Sequence, residues 1–173
     1  MYFQRVTRRD DPGFIRAMAL YAKSFPLHEQ RLSDSQLAIL GEEAYHLDQI
    51  IQDGRFLGAI FYWETGDFVY VEHFCMEPHL RGQGFGKTAL ELLAEKGKTV
   101  ILEIDPPADD ISRRRLGFYQ RCGFRENVHE HIHPAYRPEY RGHELVVLSY
   151  PEALDQAAYD RFAGYLRDTV MGI

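Results

Sequence analysis

Long apolar runs are missing from this sequence of 173 residues. No stretch approaches the ~20 consecutive apolar residues that a membrane-spanning helix needs. The N-terminus also lacks the apolar segment that is typical of a secretory signal. We therefore expect no membrane partner, and we predict a cytoplasmic protein.

Cysteine is scarce, with Cys75 and Cys122 as the only two in the chain. Two cysteines do not make the disulfide framework of a small secreted domain, which agrees with a reducing compartment. Cys122 lies beside a predicted helix end, where it could act as a nucleophile. A buried structural thiol is the commoner role of a free cysteine, and we assign Cys122 no chemistry.

A surplus of basic side chains is also missing, because 20 Lys and Arg face 26 Asp and Glu and leave a net charge of −6. This balance argues against a nucleic-acid partner and would suit a cationic substrate. Hydrophobic residues make up 45% of the chain and aromatic residues 13%, which leaves little room for disorder. With no repeat or linker in sight, we expect a single domain over residues 1–173.

The hydrophobic pattern predicts a mixed α/β order. Asp53-Gly54 is typical of a two-residue hairpin turn, and Ser33 with Gln36 three residues on fits a helix capping box. The last two expected strands could pair with each other. The sequence predicts strands over residues 2–7, 45–52, 55–64, 68–76, 99–104, 124–133 and 143–150, and helices over residues 12–24, 34–42, 89–96, 112–122 and 151–170.

A glycine-dense turn stands between an alternating apolar run and an amphipathic stretch. Glycines let backbone N–H groups approach a ligand closely, and the N-terminus of the following helix adds partial positive charge. Such a turn predicts an anion site, with phosphate as the natural ligand. The turn consists of Arg81, Gly82, Gln83, Gly84, Phe85, Gly86, Lys87 and Thr88.

Two well-known phosphate signatures fit this turn poorly. A Walker A loop would require glycine where Arg81 stands. The dinucleotide fingerprint fits Gly84-x-Gly86-x-x-Ala89, and Glu103 lies about where a ribose-binding acid would be. In that signature, however, the first glycine follows its strand almost directly, whereas residues 77–83 intervene here.

A third signature, Arg81-x-x-Gly84-x-Gly86, resembles the pyrophosphate loop of the GNAT superfamily of acyl-CoA-dependent N-acetyltransferases. About 33 residues later, Tyr119-x-x-x-Gly123-Phe124 resembles a second segment of that family, and two motifs in the right order are more specific than either one alone. The resemblance implies a mixed, mostly antiparallel central sheet of about six to seven strands flanked by helices. The final helix over residues 151–170 would be an extension, which packs on the domain or forms a dimer contact.

The resemblance also implies how the chain would hold acetyl-CoA as a co-substrate, without a metal. The main chain of Phe74, Cys75 and Met76 would pair with the pantetheine arm. Ser112 occupies the place of a family asparagine and would make a weaker contact. The pyrophosphate would be bound by the amides and side chains of Arg81, Gly82, Gln83, Gly84, Phe85, Gly86, Lys87 and Thr88.

Direct transfer from a thioester to an amine calls for two groups that handle protons. By resemblance, Tyr119 is the candidate acid toward the departing thiolate. For the base we expect Glu72, on the same strand face as Phe74 and Met76, with its pKa raised by burial. Glu103 on the neighbouring strand is an alternative, whose pKa burial could raise likewise. His73 is a third, although a hydrogen-bonded sheet histidine is the more ordinary role.

Two further clusters attract attention. Strand alternation would place His129, His131 and His133 on one face, as a polar groove wall rather than a metal site, since no cysteine or clear carboxylate completes a ligand set. The basic run over residues 113–115 would either contact the adenosine phosphate or form a solvated helix face.

These observations together predict an N-acetyltransferase that moves an acetyl group from acetyl-CoA to a primary amine of a small molecule or peptide. The alternative is an acyl-CoA-binding sensor or interaction module without turnover. Acceptor identity would depend on the loops around residues 25–31 and 136–142, whose shape the sequence does not specify.

Overall fold

The computed structural model describes residues 1–172, which form one large sheet with helices on both faces. The strands are β1 Tyr2–Val6, β2 Tyr45–Gln52, β3 Arg55–Glu64, β4 Phe68–Met76, β5 Thr99–Ile104, β6 Arg125–Glu126, β7 Ile132–His133, β8 His143–Glu144 and β9 Val146–Tyr150. The helices are α1 Pro12–Ser24, α2 Ser33–Ile39, α3 Phe85–Ala94, α4 Asp110–Arg121 and α5 Gln156–Tyr165. Within residues 1–172, no helix has both the length and the apolar composition of a membrane span.

Seven strands pair in the order β1-β2-β3-β4-β5-β9-β6, while β7 and β8 form a separate two-stranded ribbon. Every neighbouring pair in the large sheet is antiparallel except β4 and β5, which run parallel. This parallel pair encloses α3, because parallel strands need a crossover connection. The predicted mixed, mostly antiparallel sheet flanked by helices is confirmed.

The sheet separates two hydrophobic cores. On one face α1 and α5 pack through side chains such as Tyr21 and Phe162, and on the other α3 and α4 pack through side chains such as Leu93 and Tyr119. Central strands buried on both faces need near-continuous apolar sequence, which the run Thr99–Ile104 supplies.

Strands β4 and β5 diverge at their carboxyl ends. Their register runs from Phe68 opposite Thr99 to Val71 opposite Leu102 and stops there. In the same region, β4 carries a β-bulge against β3, because Phe61 lies opposite His73 and Tyr62 opposite Val71, which leaves Glu72 as the extra residue. A bulge bends its strand and increases the local twist, so it favours the separation of β4 from β5.

Three predicted elements differ from the structure near the C-terminus. The expected strand over residues 143–150 is divided into β8, which pairs with β7, and β9, which joins the large sheet. The expected strand over residues 124–133 is broken into β6 and β7. Between them, the Asn127 side chain donates to Val147 O and Ser149 Oγ and accepts a bond from Leu154 N. The expected helix over residues 151–170 starts only at Gln156, where the Asp155 side chain caps Ala158 N. It continues past α5 as a π-helical turn, Leu166–Val170.

Two predicted helix starts also differ. The helix after the glycine turn begins at Phe85 rather than residue 89, with Gly84 as its left-handed N-cap residue. The second helix begins at Ser33 behind Leu32, with no side-chain capping bond. The expected capping box at Ser33 is therefore wrong, and the buried Gln36 side chain instead donates to the Tyr45 hydroxyl.

We expect Gly123→Ala and Gly164→Ala to change stability in opposite directions. Gly123 follows α4 with φ of +89°, and a Cβ there would lie 3.1 Å from the Tyr150 ring, so alanine should lower the free energy of unfolding by about 1–2 kcal/mol. A Cβ at Gly164 in α5 would meet nothing within 4 Å, so alanine should raise it by roughly 0.5–1 kcal/mol. Urea unfolding measures both, and equal effects would contradict the assigned conformations.

Candidate active site

A cleft of about 1250 Å³ passes between the separated ends of β4 and β5. It joins the glycine turn on the α3 side of the sheet to a polar pocket on the α1 side. Its loop end is lined by Arg81, Gly82, Gly84, Gly86 and Lys87. Its polar end is lined by Glu29, Glu72, His73, Glu103, His133, Tyr136 and His143. The separation of two strands is thus what connects the two halves of the site.

The glycine turn presents free main-chain donors to the cleft. Gly84 has φ of +85°, a conformation that favours glycine. The first α-helical bond inside α3 runs from Thr88 N to Gly84 O, so the amides of Phe85, Gly86 and Lys87 have no acceptor within the helix. These donors sit at the positive end of the helix dipole and are suited to bind an anion.

The floor of the turn is close-packed at Gly86. A Cβ added there would lie 3.4 Å from the Phe118 ring and 3.7 Å from the Phe74 ring, both of which line the cleft. These are ordinary van der Waals distances, so the Gly86 main chain lies close to both rings, with room for little more than a methyl group.

Three side chains of the predicted cofactor loop do not line the cleft. Gln83 donates to His79 O, Thr88 donates to Gly84 O, and Phe85 packs into the core on the α3 side. Only the main chain of these three residues is left for the expected contact with the cofactor. The expected contact of Ser112 is not brought to the cleft either, because its hydroxyl and amide bond the Asp109 carboxylate in the capping box of α4.

The end of β4 offers an unpaired strand edge. Phe74, Cys75 and Met76 line the cleft and pair with β3 on one side, whereas no β5 residue pairs with them on the other. Such an edge can form main-chain hydrogen bonds with an extended ligand. The thiol of Cys75 is buried 3.7 Å from Ala59 O, and burial raises its pKa to about 11, so it stays a neutral thiol.

Tyr119 projects from α4 into the same cleft. Its ring packs against Phe118 and Phe124, with centroids 5.1 and 5.6 Å away. The hydroxyl makes no hydrogen bond to any residue within 1–172 that the structure describes, and burial raises its pKa to about 12. Tyr119 is therefore a neutral phenol with a free proton to donate.

Glu72 does not behave as the sequence predicted. The bulge turns Glu72 to the α1 side of the sheet together with His73, rather than to the side of Phe74 and Met76. There it accepts from Arg31 Nε at 2.7 Å and from Trp63 Nε1 at 2.8 Å. Burial alone would raise the pKa of Glu72, but the Arg31 charge and these bonds lower it overall, so the expected raised pKa is wrong.

The Glu103 carboxylate is also held by hydrogen bonds. The Tyr70 hydroxyl and His131 Nε2 both bond to it, and His133 Nε2 lies 3.9 Å from its Oε2. Burial would raise the pKa of Glu103, but the two histidines and Tyr70 lower it overall. The raised pKa that the sequence suggested for this carboxylate is wrong as well.

His73 has the ordinary role that the sequence analysis favoured. Its Nε2 lies 2.8 Å from Glu29 O, and its ring packs edge-on between Tyr21 and Phe25 at 4.8 and 4.7 Å. Burial lowers the pKa of His73 to about 4. The ring is thus neutral near pH 7, and its Nε2 is already used.

The three histidines of the predicted groove wall separate. His131 and His133 both approach Glu103, whereas His129 stacks on Tyr159 with centroids 4.2 Å apart and bonds Leu154 O. No group of three or more His, Cys, Asp and Glu side chains with metal-binding geometry occurs in residues 1–172.

The three arginines of the basic run on α4 lie in different surroundings. Arg113 pairs with Asp110 on the exposed surface, whereas Arg114 and Arg115 line the cleft and Arg115 Nη1 lies 2.8 Å from Asp105. The run therefore contributes two cations to the cleft.

Sequence reasoning included Arg31 and Tyr136 only as members of two loops expected to shape the acceptor site, and it did not single out His143. These residues come from loops or a two-residue strand, where no hydrophobic period assigns a facing direction. Arg31 is buried by Glu72, Val170 O and the Tyr136 ring, 5.4 Å away. Each of these contacts spans more than 40 residues of sequence or joins separate elements, so no local sequence pattern predicts them.

A sequence model of the acetyltransferase (GNAT) family matches residues 14–124. Among curated proteins, YjbC of Bacillus subtilis (strain 168), described as a candidate acetyltransferase, is 30% identical over 105 residues, which cover 58% of this chain and 52% of that protein. The chain therefore spans about half the length of this curated relative.

Two solved structures extend the comparison. A candidate GNAT-family acetyltransferase from Bacteroides thetaiotaomicron has a TM-score of 0.92 at 30% identity and is matched over 100% of this chain and 99% of the other. An acetyltransferase from Bacillus subtilis, solved in complex with CoA, has a TM-score of 0.56 at 17% identity, over 85% of this chain and 95% of the other. The first shares sequence and fold along its whole length, and the second shares the fold.

We expect Glu72→Gln to lower the free energy of unfolding by about 3 kcal/mol, because it leaves the buried Arg31 charge without a counter-charge. The control is Glu91→Gln, which removes the exposed pair with Lys87 at 3.6 Å and should change stability by about 0.5 kcal/mol or less. Urea unfolding at neutral pH measures both variants. Equal stability of the two variants would contradict the structural role assigned to the Arg31–Glu72 pair.

Proposed function

This chain belongs to the GNAT acetyltransferase family, and we propose that it is an N-acetyltransferase that moves an acetyl group from acetyl-CoA to a primary amine of a small molecule or peptide. The observation that carries the proposal is the single cleft that joins a glycine turn, an unpaired β4 edge, the Tyr119 phenol and a polar pocket. Acyl transfer needs these four parts along one path.

The loop end fits the phosphates of acetyl-CoA. The free amides of Phe85, Gly86 and Lys87 would receive the pyrophosphate, and glycine at position 86 brings the main chain close to the Phe118 ring at the floor of the turn. Arg81 and Arg114 line the same region and would add positive charge. The B. subtilis acetyltransferase of the same fold was solved with CoA, which supports this assignment.

The middle of the cleft fits the pantetheine arm. The β4 edge from Phe74 to Met76 would pair with its amides, and this pairing would place the thioester where β4 and β5 separate. Acetyl-CoA supplies a thioester carbonyl that a neutral amine can attack directly. The Tyr119 hydroxyl would give its proton to the departing sulfur, which its high pKa and free donor permit.

The polar end would receive the acceptor. Glu29 and Asp105 line it, and burial together with the Asp105 charge raises the pKa of Glu29. Carboxyl groups here and the net charge of −6 favour an amine over an anionic acceptor. Glu72 and Glu103, each held by two bonds, would position the pocket rather than take a proton themselves.

Two further expectations stay predictions. The first is the cytoplasmic location. The second is a homodimer formed through the C-terminal extension, whose apolar side chains Phe162, Leu166 and Val170 pack into the domain's own core.

The first test is a calorimetric titration with acetyl-CoA, with NAD as the control ligand, followed by a free-thiol assay over amines that include spermidine, an aminoglycoside and a peptide N-terminus. Acetyl-CoA binding with amine-dependent thiol release would support the transferase. Binding without release would favour an acyl-CoA sensor, and the absence of acetyl-CoA binding would contradict the proposal.

We expect Gly84→Asp to weaken acetyl-CoA binding by about 100-fold or more, because a carboxylate would oppose the phosphates and disturb their charge-assisted bonds. Gly97→Asp is the matched control, because Gly97 also has positive φ, with φ of +70° against +85° at Gly84, and a Cβ at either position meets nothing within 4 Å. Gly97 does not line the cleft. Calorimetry on both folded variants measures the difference, and equal affinities would rule out the glycine turn as the phosphate site.

We expect Tyr119→Phe to lower kcat by about 100-fold while the Kd for acetyl-CoA stays close to that of the wild type, because the ring is kept and only the acid is lost. Tyr165→Phe is the control, since Tyr165 lies outside the cleft and packs on Trp63 and Phe68. Steady-state kinetics with the best amine of the panel measures both. Unchanged kcat in Tyr119→Phe would remove its role as an acid.

A further inference from the structure

Two buried side-chain atoms in residues 1–172 have no hydrogen-bond partner, Asp48 Oδ1 and His133 Nε2. Buried polar atoms are seldom left unpaired, so each one calls for an explanation. Asp48 lies on β2, away from the cleft, whereas His133 lines its polar end. The unpaired atom of His133 therefore belongs to the wall where an acceptor would enter.

The other ring nitrogen determines what this atom can do. His133 Nδ1 lies 2.6 Å from the carbonyl oxygen of Pro134. A carbonyl oxygen only accepts, so Nδ1 carries a proton, and Nε2 of the neutral ring then holds a lone pair. The unpaired atom is an acceptor, and an amine N–H is a fitting donor for it.

A carboxylate stands beside this lone pair. Glu103 Oε2 lies 3.9 Å from His133 Nε2, too far for a hydrogen bond but close enough to stabilise a positive ring. The Tyr136 ring packs on His133 at a tilt, with centroids 4.7 Å apart. His133 thus has a fixed tautomer, a neighbouring anion and a defined orientation, which are the features of an oriented base.

Glu103 is itself held in place from the C-terminal helix. The Tyr159 hydroxyl on α5 donates to Glu130 O at 2.9 Å and lies 2.9 Å from His131 Nδ1. His131 Nε2 bonds Glu103 Oε1, which leaves Oε2 on the side of His133. The chain extension therefore helps to orient the carboxylate.

We propose that His133 is the general base of the transfer and takes the proton of the acceptor amine at Nε2. This proposal rests on the proposed N-acetyltransferase function. Glu72 and Glu103 also line the polar end, but their carboxylates already accept the bonds described above. His73 donates from Nε2 to Glu29 O, and burial lowers its pKa to about 4, which makes it a weak base near pH 7.

The transfer makes one bond at the thioester carbon, breaks one there and moves two protons. The neutral amine nitrogen forms a bond to the thioester carbonyl carbon, and the carbon–sulfur bond breaks. The proton leaves the attacking nitrogen for His133 Nε2, and the sulfur takes the proton of the Tyr119 hydroxyl. The resulting positive ring lies beside Glu103. Water then takes the proton from His133 Nε2 and returns a proton to the Tyr119 phenolate.

The kinetic test compares His133→Gln with His129→Gln, which removes an imidazole from the same segment but outside the cleft. We expect His133→Gln to lower kcat by about 100-fold or more with the Kd for acetyl-CoA unchanged, and His129→Gln to keep wild-type kcat on the best amine of the panel. Wild-type kcat in His133→Gln would overturn the base, while leaving the transferase intact. Failure of the wild-type protein to bind acetyl-CoA would instead contradict the proposed function itself.

A second measurement covers the case in which His133→Gln does not fold or no amine of the panel reacts. Histidine-ring ¹⁵N spectra of the wild-type protein with saturating acetyl-CoA, at neutral pH, report which nitrogen carries the proton. We expect the His133 signal to show a protonated Nδ1 and a bare Nε2. A proton on Nε2 of the neutral ring would overturn the proposal, because that atom could then accept nothing from an amine.

Discussion

The hydrogen bonds between β4 and β5 stop at Val71 and Leu102, and the site depends on that interruption. Had the parallel ladder continued, the main-chain groups of β4 would have been hydrogen-bonded to β5, and no path would join the two faces of the sheet. The extra residue in β4, Glu72, bends the strand at this point. Arg31 donates to the Glu72 carboxylate on the α1 side of the sheet. A bulge and its buried counter-charge thus accompany the opening that the ligand path requires.

The buried carboxylates of β4 and β5 at the cleft, Glu72 and Glu103, both have compensating partners. Glu72 is paired with Arg31, and Glu103 is bonded by His131 and Tyr70. Removing charges from water is costly, so such groups stabilise a single arrangement rather than adding much to stability. Beside these held carboxylates, His133 is the one cleft-lining side chain in residues 1–172 that has an unpaired buried atom.

Sequence reasoning failed at points where a side chain replaced a regular pattern. Strand alternation misplaced Glu72 because a bulge adds one residue and reverses the facing direction after it. The strand expected over residues 124–133 ends at Glu126, after which the Asn127 side chain bonds Val147 O, Ser149 Oγ and Leu154 N. Burial was expected to raise the pKa of Glu72, but Arg31, 41 residues earlier in the chain, reverses the sign. Each failure involves a long-range partner that no local window contains.

The sequence by itself determined the local features of this protein, because their causes are local. The glycine at position 84, the period of the apolar runs and the two motifs around Gly84 and Tyr119 were sufficient for the order of elements, the mixed sheet and the position of the glycine turn. Only the tertiary structure decided how far β4 pairs with β5, which carboxylates are neutralised and which histidine retains a free nitrogen. Those properties arise from contacts between distant segments, and such contacts exist only once the chain has folded.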